Sequence, residues 1–436
     1  MKRDVTLVIL AAGVGKRFRP FVTDKNLFPF LGKPLFDFVL PQQFPAEVAR
    51  CVVVANSNNK NAFERMQFPV PHVVVVQEEA SGMAGAVVAA KDHIAGKSIL
   101  LVIADDVADP QLLGSVLRAV RPDVFGVLTS WKPKEYFPGG YIVFRDGRPI
   151  GIKEKPGAGN TPSEYVYFGG QYIAQADRLL EAINAVKKSG DDVYEVALTG
   201  LMAAERFTVV SYENQFVSLK YPWHVLSMTE YLLNNRLIPG KGKNVDIRNN
   251  VSIEGPVYLG NNVKIFENTK IVGPVYIGDN TIIGNNNIIR DSMIGEGCVT
   301  GFNTDITRSY IGDNCWFHSN YIGDSVLESN ISMGSGSVLA NLRLDEGEIG
   351  SVISGERINT KRTKLGAMIG EGVRIGVNVS VMPGIKIGAQ SMIGAGVILD
   401  KDLPDGSFCV AKSQYEIKKN TVTTKADNRQ HYKAKI

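Results

Sequence analysis

Cysteine is scarce in this 436-residue chain: Cys51, Cys298, Cys315 and Cys409 are scattered, and no two form a CxxC pair. That spacing excludes a thiolate zinc site and a disulfide framework, and fits a reducing compartment, the cytoplasm. Long apolar runs are also missing. No stretch reaches the ~18 residues of a membrane span. Lys2 and Arg3 precede the apolar residues 5–12 in the manner of a signal peptide, but Gly13–Arg17 offers no small-residue cleavage site. Excess charge of one sign is absent too. A net charge of +4 over the whole length gives no broad basic face, so nucleic acid is not an expected partner, and neither is a membrane. The remainder is the composition of an ordinary globular protein, 44% hydrophobic and 21% charged, long enough for two or three domains.

Two rhythms divide the chain. Residues 1–236 alternate apolar strands with amphipathic helices. Strands are expected at 5–10, 51–55, 72–76, 98–103, 123–129 and 165–173, and helices at 82–95, 110–120, 176–187 and 193–204. Strands apolar on both faces and separated by helices indicate an α/β domain, a mainly parallel, doubly wound sheet of Rossmann-like type. Asp146-Gly147 marks a hairpin within 140–156. Residues 237–244 contain Pro and Gly and read as a linker.

From residue 245 to 411 the period becomes six. Isoleucine or leucine stands at 247, 253, 259, 265, 271, 277, 283 and 289, and the period returns from Ile369 to Leu399. This is the signature of a parallel β-helix, in which each hexad points one aliphatic side chain into a triangular prism. The rhythm slips near Ile294 and stays irregular to about 345, and 345–364 is expected to leave the prism as a loop. Tyr258 and Tyr276 fall outside the hexads, where they could serve a contact between copies. Residues 412–436 form a polar, basic tail.

The first strand runs into "LAAGVGKRFRP". At the carboxyl end of a strand in an open α/β sheet, glycines permit close backbone approach, while free N–H groups and Lys16 and Arg17 supply positive potential. The run fits neither the Walker loop nor the dinucleotide fingerprint, since Phe18 stands where a third glycine belongs. A tight strand-to-helix turn would leave the same pattern.

"LAAGVGKRFRPF…DKNLFPFLGKPL" resembles the signature of the sugar-1-phosphate nucleotidylyltransferases, and "VQEEASGMAGA", "VIADDV", "KEKP" and "YPWHVLSMTEYLL" follow in that family's order. The resemblance implies attack of a sugar-1-phosphate oxygen on the α-phosphorus of a nucleoside triphosphate, UTP or dTTP, with pyrophosphate leaving. By motif position Ala12, Gly13, Gly15 and Arg17 would cradle the triphosphate, and Lys25 would neutralise the reacting phosphate. Gln77 and Gly82 would read the base. Gly140, Glu154 and Lys155 would hold the sugar and its phosphate. Asp105, or Asp106 in an alternative register, would hold Mg²⁺, with Mn²⁺ or Co²⁺ as substitutes. His224 stands where a second metal aspartate is expected, and is either a ligand for a softer ion or a packed histidine. Asp24, Lys16 and Ala104 also depart from the pattern.

In the second half, "HSNYIGDSVLESNISMGSGSVLAN" resembles a stretch of bifunctional enzymes that also acetylate an amino-sugar phosphate from acetyl-CoA. The resemblance implies a left-handed β-helix that packs into trimers, His318 as general base, and Tyr321 and Asn341 as substrate contacts. A lysine of that pattern is replaced by Gly347, with Lys361, Arg362 and Lys364 nearby as substitutes. The competing reading is a non-catalytic sugar-nucleotide sensor or assembly subunit of the same architecture.

Overall fold

The computed structural model describes residues 4–436 except 80, 188–189, 191, 413–415, 422–432, 434 and 436; most of the 412–436 tail therefore lies outside the described residues. The strands of the first half are β1 (Val5–Leu10), β2 (Val48–Ala55), β3 (His72–Val76), β4 (Ser98–Ile103), β5 (Gly126–Trp131), β6 (Gly140–Arg145), β7 (Arg148–Glu154), β8 (Val166–Ile173) and β9 (Phe207–Tyr212). The main helices are α1 (Gly82–Ala89), α2 (Leu112–Arg118), α3 (Ala176–Ala185), α4 (Val193–Ala204) and α5 (His224–Asn235).

β3, β2, β1 and β4 pair side by side and parallel. β8 then runs antiparallel between β4 and β5, and β9 pairs parallel with β5. The sheet is thus mixed rather than wholly parallel. The β6–β7 hairpin lies beside the first half of β8. Successive residues of a strand face opposite ways. Val8 and Leu10 accordingly join one core with α1, α3 and α4, while Leu7 and Ile9 join another with α2.

The second half is a left-handed parallel β-helix with three stacked sheets. Gly240–Lys241, inside the expected linker, already pairs with Tyr258–Leu259 as the first rung of face one. Ile265, Ile271, Ile277, Ile283 and Ile289 are all fully buried along the axis. Ile247 and Ile253 keep the period but sit at the open end, 37% and 38% exposed.

The prism does not lapse between 294 and 345. Ile294, Thr300, Ile306, Ile311, Phe317, Ile322, Leu327, Met333 and Leu339 continue the interior column, all buried. Two things disguise it in sequence. Threonine, phenylalanine and methionine occupy inward positions, and some corners are one residue shorter. Three of those short corners stack, and each carries a left-handed residue: Asp291 (φ 47°), Arg308 (φ 46°) and Asp324 (φ 45°). Residues 345–364 leave the prism as a β-hairpin, Ile349–Ile353 against Glu356–Arg362, rather than an irregular loop.

Face one is covered by the first domain. Phe18, Phe21, Phe28, Phe30 and α5 pack on Met293, Tyr310, Val326 and Met368, and the hairpin supplies Ile349 and Ile353 to the same cluster. The Tyr310 hydroxyl donates to the Pro29 carbonyl at 2.8 Å. Tyr276 stacks on Tyr258 at 5.1 Å, and a Cβ on Gly32 would lie only 2.6 Å from its hydroxyl. Tyr276 therefore belongs to the seam within the chain, and Tyr258 stacks on it from the preceding coil. Faces two and three, which begin at Asp246–Ile247 and Ser252–Glu254, are left open by the described residues, with Trp316, Met392 and Ile398 among their exposed apolar side chains.

The axis column should dominate the stability of the second half. Ile283→Ala is expected to cost about 2–5 kcal/mol through lost burial and a residual cavity. Leu344→Ala, at a fully exposed position in the turn before the hairpin, should change stability by no more than about 0.5 kcal/mol. Denaturant unfolding of the two variants checks the contrast.

Candidate active sites

The glycine turn after β1 lies at the sheet's carboxyl edge, where the sequence places it. Gly15 is left-handed (φ 62°), and a short turn, Lys16–Phe18, follows with Lys16 and Arg17 exposed. Phe18 is buried, which explains why an aromatic residue stands there: it anchors the turn into the seam. The Arg17 guanidinium lies 5.7 Å from the ring of Tyr221, which stacks on Trp223 at 4.7 Å.

Gly13, Lys25 and Asp105 come together. A Cβ on Gly13 would sit 3.5 Å from Lys25 Cε and 3.6 Å from Nζ, so the lysine crosses directly over the turn. Its Nζ forms an ion pair with Asp105 Oδ2. The segment carrying Lys25 is held by three buried asparagines that the sequence reading did not single out. Asn26 and Asn59 donate to the Ala11 carbonyl at 3.0 Å each, and Asn56 donates to that of Ala12 at 3.3 Å. Asp24 accepts from the Asn26 N–H at 2.9 Å and from Asn59 Nδ2 at 3.0 Å. Burial holds the Asp24 carboxyl above its usual range, against those hydrogen bonds. The polar run "NSNNKN" after an apolar strand was the available signal for Asn56 and Asn59.

Lys220 also went unread. It is near Asp106 and Asp105, and its ammonium lies 4.3 Å from the ring of Phe137. Burial lowers its affinity for a proton, and the two aspartates partly restore it. Asp106 is pushed up to about 6, first by burial and then by Asp105; Lys220, the Ser218 hydroxyl and Lys25 draw it back. Asp106 and Ser218 face each other across a short antiparallel ribbon.

His224 opens α5, and its Nδ1 lies 3.0 Å from the Ser218 carbonyl and 3.3 Å from the Lys220 amide nitrogen. It thus braces the turn that carries Lys220. Among the described residues no three His, Cys, Asp or Glu side chains converge as a metal cluster. The oxygen donors that fit a hard divalent cation are Asp105 and Asp106, adjacent carboxylates whose mutual repulsion a cation would relieve.

On the other side, Gln77 Nε2 donates to the Gly82 carbonyl and to Ser81 Oγ, both at 3.2 Å. The two expected base-reading residues are therefore neighbours at the start of α1. Gly140 opens β6 directly opposite Glu154, the last residue of β7. Glu154 pairs with Lys155 at 3.3 Å, and Lys155 is left-handed (φ 41°).

On the prism, Tyr321 and Asn341 converge over face three. A Cβ on Gly323 would lie 2.6 Å from both the tyrosine hydroxyl and Asn341 Nδ2. Asn341 Nδ2 donates to Asp324 at 2.5 Å, and Arg308 grips the same carboxylate at 2.8 and 2.7 Å. His318 is exposed at the preceding corner, its backbone fixed by Asn320 and Thr304. Gly347 turns over Asp345. Of the residues near it, Lys361 pairs with Glu348 at 3.7 Å and Arg362 reaches Ser227 of α5 at 3.3 Å, while Lys364 is exposed.

His224 yields a pH test. Burial is the chief cause of its low pKa, about 4, with Lys220 and Arg362 adding to it and the Ser218 carbonyl opposing. An unfolded histidine titrates near 6.5, so between roughly 6.5 and 4 the unfolded chain binds more protons. The contribution to stability is complete above that window and falls on acidification by up to about 1.4 kcal/mol per pH unit. Unfolding measured at pH 7 and pH 5 should show about 2 kcal/mol of extra loss in the parent relative to His224→Gln.

The chain matches the nucleotidyl transferase family over residues 6–211 and bacterial transferase hexapeptide repeats over 256–291 and 366–401. It is 29% identical over 409 residues to a bifunctional sugar-1-phosphate nucleotidylyltransferase/acetyltransferase of Sulfurisphaera tokodaii, covering 92% of this chain and 98% of that one. It is 31% identical over 437 residues to the bifunctional protein GlmU of Methanococcus maripaludis, covering 94% and 98%. A glucose-1-phosphate thymidylyltransferase of Mycolicibacterium smegmatis matches more narrowly, 27% over 200 residues, 43% of this chain and 67% of that one. With the glycine turn, Lys25, Asp105 and the hexapeptide prism in one chain, the protein belongs to the GlmU-type family of bifunctional sugar-1-phosphate nucleotidylyltransferase/acetyltransferases.

Proposed function

We propose that the first domain joins a pyrimidine nucleoside triphosphate, UTP or dTTP, to glucose-1-phosphate or N-acetylglucosamine-1-phosphate. The observation that carries this is the meeting of Lys25, Gly13 and Asp105 at the sheet's edge. A sugar-phosphate oxygen attacks the α-phosphorus in line, and the bond to pyrophosphate breaks. No protein nucleophile is needed, so the side chains act by position and charge. Ala12, Gly13 and Gly15 offer backbone approach, and Arg17 offers a cation braced on Tyr221. Lys25 leaves Asp105 for the reacting phosphate. Gln77 and Gly82 face the base, and Glu154, Lys155 and Gly140 face the sugar.

Asp105, with Asp106, would hold Mg²⁺ or a similar divalent cation, which neutralises phosphate charge when bound. His224 is outside that set in this reading, since its Nδ1 faces the backbone. Lys220 adds an amine beside the two carboxylates, which favour its protonated form against the effect of burial.

The prism would acetylate glucosamine-1-phosphate. The amine attacks the acetyl-CoA carbonyl, His318 takes the amine proton, and the thiol of coenzyme A leaves. Tyr321 and Asn341 orient the sugar. Arg308 and Arg362, both near Asp324, supply positive charge that Gly347 cannot. The open faces two and three would pack as a homotrimer. The sensor reading is the weaker one, because most of the charged phosphate and metal positions, Arg17, Lys25, Asp105, Glu154 and Lys155 among them, are retained despite His224.

Pyrophosphate release is the direct assay, with UTP or dTTP, either sugar phosphate, and Mg²⁺, Mn²⁺ or Co²⁺. Lys25→Ala should lower kcat by about 10²–10³. His318→Ala should reduce acetyl-CoA consumption by about 10²–10⁴ and leave pyrophosphate release intact. No release by the wild type under any combination refutes the assignment.

A further inference from the structure

Lys25 rides on a segment wedged between the two domains. On its outer side the segment meets one side chain of the prism, Glu328, which follows the face-one strand Val326–Leu327 and is 3% exposed. Glu328 Oε1 accepts the Thr23 N–H at 2.8 Å and the Thr23 hydroxyl at 2.6 Å. The Val22 N–H lies 3.2 Å from both carboxylate oxygens. Oε2 also accepts the Glu371 N–H at 2.9 Å, from the next coil of the prism. On its inner side the same segment is tied through Asp24 to Asn59.

Every partner of Glu328 is a donor, and both of its oxygens are engaged. That is the demand of a carboxylate. A glutamine of the same shape would turn its NH₂ toward backbone N–H groups and set donor against donor. Only Asp24 separates Thr23 from Lys25, so a shift of the Thr23 backbone carries directly to the lysine.

We infer that Glu328 is a positioning residue for nucleotidyl transfer: a buried carboxylate of the β-helix fixes Val22 and Thr23 so that Lys25 crosses Gly13. The inference rests on the role given to Lys25 above. It means that the site of the first domain is completed by a side chain of the second.

The test uses full-length wild type and Glu328→Gln, assayed for pyrophosphate release and acetyl-CoA consumption in the same preparation. In the variant, kcat for nucleotidyl transfer should fall at least about tenfold, as expected of a misplaced catalytic group. KM for the nucleotide should stay within about threefold and acetyl transfer within about twofold, a split that a general loss of folding would not give. A folded Glu328→Gln protein with unchanged kcat overturns the inference, as does an equal loss of both activities. Thr23→Val removes only the hydroxyl bond and covers the case in which the first variant does not fold. Its kcat should drop about threefold, and no drop is a refutation. Amide exchange at residues 22–27 reads the clamp without turnover. It should quicken in both variants while β1, β2 and β4 keep their protection, and unchanged exchange overturns the inference. An inactive wild type with quickened exchange in the variants would separate failure of the proposed activity from failure of the clamp.

Discussion

Four phenylalanines, at 18, 21, 28 and 30, are what bind the two halves of this protein into one. They lie in a stretch that begins just after the phosphate-type turn and ends before the first short helix. The stretch has almost no secondary structure of its own. Left alone it would expose a large apolar surface, which monomeric proteins avoid. Face one of the prism removes that surface from water. Tyr310 shows the fit, packing its ring against Phe28 and Phe30 at 5.1 and 5.5 Å while its hydroxyl serves the Pro29 carbonyl. A β-helix suits this task because its rungs keep a fixed spacing, so its outward side chains form a rigid lattice. The loop that carries the lysine therefore inherits its shape from a surface more than 250 residues away in sequence.

The charges at the sheet's edge follow from what must enter there. Lys25, Lys220 and Arg17 supply cations, and Asp105 and Asp106 supply anions. Two neighbouring buried carboxylates repel, and a buried amine loses its hydration. Paired, the Lys25 ammonium and Asp105 offset part of that cost. The pairing is also a ready exchange. In the proposed reaction a triphosphate would offer the lysine a better partner, and the freed carboxylate would then suit a divalent cation. One contact can thus be protective when the site is empty and catalytic when it is filled.

Periodicity was readable wherever the local pattern was also the global one. Residues 72–76, 98–103 and 193–204 are found as expected, because burial on both faces or on one helical stripe leaves a clear sequence trace. The hexads were equally clear where isoleucine fills the axis. The antiparallel β8 within the sheet was not, since strand direction depends on partners far away in the chain. The same holds for Lys220, Asn56 and Asn59. Each is an ordinary polar residue until the fold sets it beside Asp106, Ala11 or Asp24. Tyr276 is the converse case: its outward position was legible, but not that the chain's own first domain would cover it.

The irregular part of the prism is where the residues proposed for acetyl transfer gather, and the two facts have one cause. An ordinary corner uses asparagine or glycine at positive φ, as at Asn262, Asn268 and Asn280, because those residues adopt it cheaply. The shortened corners place Asp291, Arg308 and Asp324 there instead. A long side chain such as that of Arg308 costs about 1 kcal/mol or more in that region. Its paired bonds to Asp324 on the next coil, which also accepts from Asn341 of the coil after, offset that cost. Each shortened corner also draws consecutive coils out of the strict period, so side chains that would point to solvent are brought over Gly323, where Tyr321 and Asn341 meet. A perfectly regular β-helix offers only flat faces. Dropping residues at successive corners is a small change that makes a charged patch without giving up the buried column beneath it.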